Sequence, residues 1–175
     1  MNQWKVLIAA LALLSTSTQA KADIFAVASS DTSSDFGSGV GGGLGYNYTF
    51  TDNLALRFDL TYVRYSYQGK NFGSSAATFS RIPLFVGARG GLNLDDNLRF
   101  YLEGGLEISQ DKVDAKAGYN GETFGASSGK TSMGAAFGGG LQFGFSGAAA
   151  MGLIFRNHST GPSYFTYGLS ISAGF

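Results

Sequence analysis

Seven charged side chains in this sequence share one phase of a two-residue alternation, and an eighth titratable residue stands apart from them. Arg57, Asp59, Arg89, Arg99, Glu103, Glu107 and Arg156 all occupy the polar phase of their segments. Strand side chains alternate between faces, so these seven project to one side of a sheet. Four cations and three anions in an enclosed space should pair, because an unpaired charge in a low dielectric is costly. Paired, they form a salt-bridge plug; if the pairs rearrange, they form a gated ion path. Glu103 and Glu107 are also the residue type used for acid–base attack on glycosidic bonds, but that chemistry needs an open cleft between two carboxylates. His158, in Phe155-Arg-Asn-His-Ser-Thr-Gly-Pro162, is the only histidine. Ser159 is adjacent to it, and no acid follows between Ser159 and Phe175 to orient the imidazole, as a triad requires. One His and no Cys leave no metal ligand set and no thiolate or disulfide chemistry. The glycine runs precede no helix that could present its N-terminus to a phosphate. No catalytic residue, cofactor or metal is expected.

The elements that must position these residues are strands. Leu98, Phe100, Leu102, Gly104, Leu106 and Ile108 hold one phase, while Arg99, Glu103 and Glu107 hold the other. Ile82–Leu94 precedes them across Asp95-Asp96-Asn97, a turn-forming triplet, so the two segments make a hairpin. The design recurs in Val40–Phe50 and Leu54–Tyr67 across Thr51-Asp52-Asn53, and in Met133–Phe145 and Ala148–Asn157 across Ser146-Gly147. Ile24–Ser30, which has no clean phase, and Ser163–Phe175, which has the cleanest, bring the strands to eight. In the last strand Phe165, Tyr167, Leu169, Ile171, Ala173 and Phe175 alternate with Thr166, Gly168, Ser170, Ser172 and Gly174. The remaining connections, near Asp31–Ser38, Gln68–Ala77, Asp111–Lys130 and His158–Pro162, read as longer polar loops.

The first 22 residues read as a secretory leader, with Lys5, nine apolar residues from Val6 to Leu14, and Ala20-Lys21-Ala22 as a small-x-small cleavage site. Cleavage after Ala20 is the alternative. Nine apolar residues cannot cross ~30 Å of hydrocarbon as a helix. The organisation is therefore a leader over 1–22 and one β domain over 23–175. Without Lys5 and Lys21, ten bases face twelve acids, for a formal charge of −2. That balance excludes nucleic acid as a partner, which needs clustered bases. A soluble β-sandwich would show water a phase rich in Lys and Glu. Here that phase is Gly, Ala and Ser with a few charges, which suits the narrow interior of a closed barrel. Facing glycine walls, Gly39–Gly45 and Gly134–Gly144, leave room that Arg57, Phe85, Tyr101 and Arg156 should fill. Aromatics at both strand ends, Tyr46, Tyr48, Phe50, Phe100, Phe143, Phe145 and Phe175 at one and Tyr62, Tyr65, Tyr67, Tyr164, Phe165 and Tyr167 at the other, form two interfacial belts.

On these hairpins, the turn asymmetry and the final strand, the chain resembles the small eight-stranded outer-membrane β-barrels of Gram-negative bacteria, the OmpA/OmpX-like superfamily. The resemblance covers the whole of 23–175. It implies an all-β, antiparallel, up-and-down transmembrane barrel with short periplasmic turns and longer extracellular loops. It makes Tyr167, Gly168, Leu169, Ile171, Ala173 and Phe175 the C-terminal assembly signal, recognised by the barrel assembly machinery after passage with periplasmic chaperones. It also implies a monomer surrounded by outer-membrane lipids and lipopolysaccharide, with a structural or surface-interaction role and any extracellular ligand held at the loops. A narrow, porin-like conduit is the alternative. The segment around His158 is similar to the His-x-Ser-Asn motif of outer-membrane lipid A deacylases, but Thr160 stands at the Ser position and Gly161 at the Asn. Acyl-ester hydrolysis ranks third.

Overall fold

The computed structural model describes residues 21–33, 37–68, 76–119, 122–146, 149–161 and 163–174. They form eight strands: β1 (Lys21–Ser33), β2 (Gly37–Thr51), β3 (Leu54–Gln68), β4 (Ala76–Asn93), β5 (Leu98–Tyr119), β6 (Glu122–Ser146), β7 (Ala149–His158) and β8 (Tyr164–Gly174). Each pairs antiparallel with its sequence neighbours, and β1 pairs with β8 to close the barrel. Closure leaves no free edge through the wall, the condition for a sheet to sit in hydrocarbon.

The alternation read from the sequence sorts the side chains. On β5, Tyr101, Glu103, Glu107 and Ser109 are buried inside, while Leu102 and Leu106 are 60% and 64% exposed outside. On β4, Phe85 points inward between the outward Leu84 and Val86, and Arg89 inward between the outward Ala88 and Gly90. The outer surface is thus a continuous apolar band running through Leu44, Leu60, Leu84, Leu106, Phe137, Leu153 and Leu169. Water would not tolerate a contiguous patch of that extent; hydrocarbon would. From Leu98 to Ile108 the band spans ten residue steps, which at ~3.3 Å each and a tilt near 40° gives about 25 Å, the height of such a band on a membrane barrel.

The weakest strand in the sequence is longer than expected. β1 starts at Lys21, before the expected mature start, and runs to Ser33. Its inward set is Phe25, Ser29, Asp31 and Ser33. Residues 1–20, which carry most of the expected leader, lie outside the described residues.

Asp111–Lys130 is not a loop. β5 and β6 continue in unbroken register to the pair Tyr119↔Glu122, leaving only 120–121 between them. β5 and β6 have 22 and 25 residues against 10 and 11 for β7 and β8, so one side of the wall stands far above the other. The asymmetry expected in loop lengths is carried largely by strand lengths. Two aromatics also leave the outer belt: Tyr65 and Tyr164 are each 1% exposed and face inward, because they share the parity of Arg57 on β3 and Thr166 on β8. Tyr62, Phe165 and Tyr167 remain outside on that side, and Phe100, Phe143 and Phe145 at the other. Phe175 and the side chain of Tyr67 lie outside the described residues.

Candidate functional site

The lumen is the chemically loaded part of the molecule. At mid-height, Arg57, Arg89 and Arg156 surround Asp59 and Glu103. Arg57 Nε donates to Asp59 Oδ2 at 2.8 Å and lies 3.6 Å from Glu103 Oε2. Arg89 donates through Nε and Nη2 to Glu103 Oε2 at 3.1 and 2.8 Å. Arg156 donates through Nε and Nη2 to Glu103 Oε1 at 2.9 and 2.5 Å, and through Nη1 and Nη2 to the two Asp59 oxygens at 3.2 and 2.9 Å. Arg156, from β7, thus ties an acid on β3 to an acid on β5. Each guanidinium also lies over a ring: Arg57 over Phe25 at 3.9 Å, Arg89 over Tyr101 at 3.8 Å, Arg156 over Phe85 at 4.1 Å. The rings offset the one surplus positive charge of this five-member cluster through their negative faces. Planar guanidinium with several fixed N–H donors suits this arrangement better than an ammonium would.

A second cluster lies toward the tall end. Glu107, fully buried, places Oε2 2.5 Å from His158 Nδ1. Its Oε1 accepts from Thr160 Oγ1 at 2.5 Å, Tyr164 OH at 2.9 Å and Ser109 Oγ at 3.1 Å. His158 stacks on Tyr164 with centroids 4.0 Å apart, and its Nε2 is 3.0 Å from Thr166 Oγ1. One carboxylate on β5 therefore holds both ends of the short β7–β8 connection across the barrel. Next to it, Arg81 makes a two-pronged bond to Asp111, with Nε–Oδ1 at 2.7 Å and Nη2–Oδ2 at 2.9 Å, and lies over Tyr164 at 4.5 Å.

The glycine walls make room for these large groups. A Cβ on Gly45 would collide with the Phe25 ring, one on Gly39 with the Tyr65 ring, and one on Gly140 with Tyr101. The expected filling by Arg57, Phe85, Tyr101 and Arg156 is observed, and Phe25 and Tyr65 join it. The void beside Asp31, Arg156 and His158 measures about 20 Å³, which holds about one water.

Of the seven charges marked in the sequence, five meet in the first cluster. Glu107 does not; its partners are His158 and hydroxyls. Arg99 does not either: it is half-buried near the short-turn end beside Gly91, and its Nε has no hydrogen-bond partner among the described residues. The expectation that no acid orients His158 is overturned, because Glu107 reaches it from β5, far upstream of the segment that expectation considered. Ser159, adjacent to His158, turns outward; its Oγ accepts from Ala135 N at 3.0 Å and donates to Ala135 O at 2.8 Å. Arg81 shares the polar phase of Arg89 in the sequence, but its partner Asp111 falls where a loop is expected, so the pair is not legible there. In the final strand Tyr167, Leu169, Ile171 and Ala173 point outward, Gly168 faces inward between Ser29 and Ile154, and Phe175 is outside the described residues.

No protein-family model and no curated protein sequence matches this chain. Solved structures do. The attachment invasion locus protein Ail of Yersinia pestis, in complex with the heparin analogue sucrose octasulfate, superposes with a TM-score of 0.60 at 16% identity, over 89% of this chain and 97% of that one. Neisserial surface protein A superposes with a TM-score of 0.55 at 16% identity over the same shares. With its strand order, closed register and apolar outer band, the chain has the fold of the small eight-stranded OmpA/OmpX-like outer-membrane β-barrels.

Proposed function

We propose that this protein is an integral outer-membrane barrel with a structural or surface-interaction role, whose lumen is closed by charge pairs and which catalyses no reaction. The observation that carries this reading is the pairing of a wholly apolar outer band with an interior filled at mid-height by Arg57, Arg89, Arg156, Asp59 and Glu103. A void of about 20 Å³ admits a water but no solute stream. The Thr166–His158–Glu107 chain has the order of a hydroxyl, an imidazole and a carboxylate, but it lies inside the barrel, away from any lipid ester, and Glu107 already accepts three hydroxyl bonds that fix the β7–β8 connection. Export by a cleaved leader, recognition of β8 by the assembly machinery and a monomeric state complete the reading.

The test is reconstitution. The protein should need detergent or lipid to stay dispersed, migrate differently on gels before and after heating, and leave liposomes impermeable to small ions. Steady flux that disappears on substitution of Glu103 would favour the conduit; dispersion in plain buffer would refute the membrane barrel.

A further inference from the structure

The outward face of the tall wall holds a charge pattern that the lumen does not explain. From residue 23 onward, the Lys and Arg residues with described side chains on the outward parity of the wall, Arg64, Lys112 and Lys116, all line a single concavity of about 1040 Å³ on β3–β6, and Lys130, on the inward parity of β6 opposite Asp111, borders it. Two acids share it, and Asp111 is already bound by Arg81 inside the wall, leaving Asp114, 3.2 Å from Lys112, as the one exposed counter-charge. At the opposite end the turns carry Asp52, Asp95 and Asp96.

The register places these cations. Arg64, Ser80, Lys112 and Gly129 lie in one row across four strands, with Thr78, Asp114 and Ser127 in the next row up. Below them come Ile82, Gln110 and Thr131 with Tyr62 alongside, and below those the lipid-level row of Leu60, Leu84, Ile108 and Met133. Lys112 is four residues above Ile108 and two above Gln110, which at ~3.3 Å per residue and a ~40° tilt sets its Cα about 5–10 Å above the apolar edge. The polar layer on each side of the hydrocarbon is about 5–8 Å thick. Flexible Lys and Arg stems reach back down into that layer. Gly129 leaves the concavity open in the cationic row, and Ser80, Thr78 and Ser127 offer hydroxyl donors between the charges.

We propose that this concavity seats the phosphorylated sugar headgroup of an outer-leaflet glycolipid, with Arg64, Lys112 and Lys116 on phosphate and the Thr and Ser hydroxyls on sugar, while its acyl chains run down over Leu60, Leu84 and Ile108. Continuity with the apolar band favours a lipid over a soluble polyanion, because only a lipid uses both halves of the surface. The proposal rests on the outer-membrane reading above and assigns one side of the barrel to a specific lipid contact.

The test uses the full mature protein in neutral-detergent micelles doped with a diphosphorylated, acylated glucosamine disaccharide, read by native mass spectrometry and by phosphorus NMR. A bound stoichiometric glycolipid is expected, retained more weakly as ionic strength rises. One surface cation near an anionic headgroup plane is worth about fivefold in affinity, so the R64Q/K112Q/K116Q variant should lose on the order of 100-fold. The three side chains are on the outward, polar part of the wall, so heat-modifiable migration should be unchanged. Ser80→Glu, which sets a carboxylate between Arg64 and Lys112, should also release the lipid. Equal retention of the dephosphorylated disaccharide, or by the triple variant, would overturn the proposal. So would preferential capture of a soluble sulfated oligosaccharide with no glycolipid bound. Dispersion without detergent would instead strike the membrane reading itself, so the two failures are distinguishable.

Discussion

Glu103→Gln is the sharpest single test of the closed lumen. Glutamine fills the space of glutamate, so the change leaves no cavity and introduces no clash. Glu103 accepts four hydrogen bonds, two from Arg89 and two from Arg156, and lies 3.6 Å from Arg57 Nε. The amide oxygen can serve one arginine; the amide NH₂ then faces the N–H groups of the other, donor against donor. The charge of the cluster Arg57, Arg89, Arg156, Asp59 and Glu103 rises from +1 to +2 in a low-dielectric core. Removing one member of a buried pair typically costs ~3–5 kcal/mol because the remaining charge stays buried. Adding Arg89→Met returns the cluster to +1 and removes the arginine with only one acid partner among the described residues. The double variant should therefore recover at least half of the loss, a coupling of the size found for residues in one network. The assay is the folded fraction from gel migration across a urea series in lipid vesicles. A Glu103→Gln protein within about 1 kcal/mol of wild type, the range of an exposed ion pair, would refute charge pairing as what holds the lumen.

Two further perturbations probe packing and the lipid band. Gly45→Ala drives a methyl group into the Phe25 ring beneath Arg57 and should cost ~1–3 kcal/mol by overpacking, with Phe25→Leu in the same chain relieving part of it; strictly additive urea midpoints would argue against that contact. Leu102→Arg, near the middle of the apolar band, should destabilise the inserted barrel by ~2–4 kcal/mol, whereas Gln110→Arg above the band should cost ~0–1 kcal/mol. Equal penalties at the two positions would displace the band from Leu98–Ile108.

What was legible in the sequence tracks the contrast between the two faces. Leu98–Ile108 was readable because Leu98, Phe100, Leu102, Leu106 and Ile108 outside contrast with Arg99, Glu103 and Glu107 inside. β1 was not, because Ala26, Ala28, Ser30 and Thr32 outside and Ser29, Asp31 and Ser33 inside present little contrast. Asp111–Lys130 was misread for a related reason. Above the membrane one face meets water and the other a broad mouth, so the two-residue hydrophobic beat fades while the backbone ladder runs on to Tyr119↔Glu122. The charge cluster was legible as a set, since parity alone places its members inside. Which acid serves which base was not: Glu107 and His158 are 51 residues apart and meet only because β5 and β7 flank β6 in a closed wall.

The β1–β8 seam has a consequence for how the chain reaches this state. Hairpins such as β4–β5 close over a few residues, whereas Asp23↔Gly174 joins the two ends of the barrel. Loop-closure entropy for ~150 residues is about 4 kcal/mol, several times that of a tight turn. The pairs that must repay it are modest: Ala28↔Leu169, Ser29↔Gly168, Val27↔Ser170 and Phe25↔Ser172 each match a large side chain with a small one or two small ones. The seam is therefore the last ladder to form and the first to part. Until it zips, two strand edges hold unpaired amides that hydrocarbon cannot hydrate. An agent that speeds insertion of this protein has to occupy those two edges and then give them up to each other.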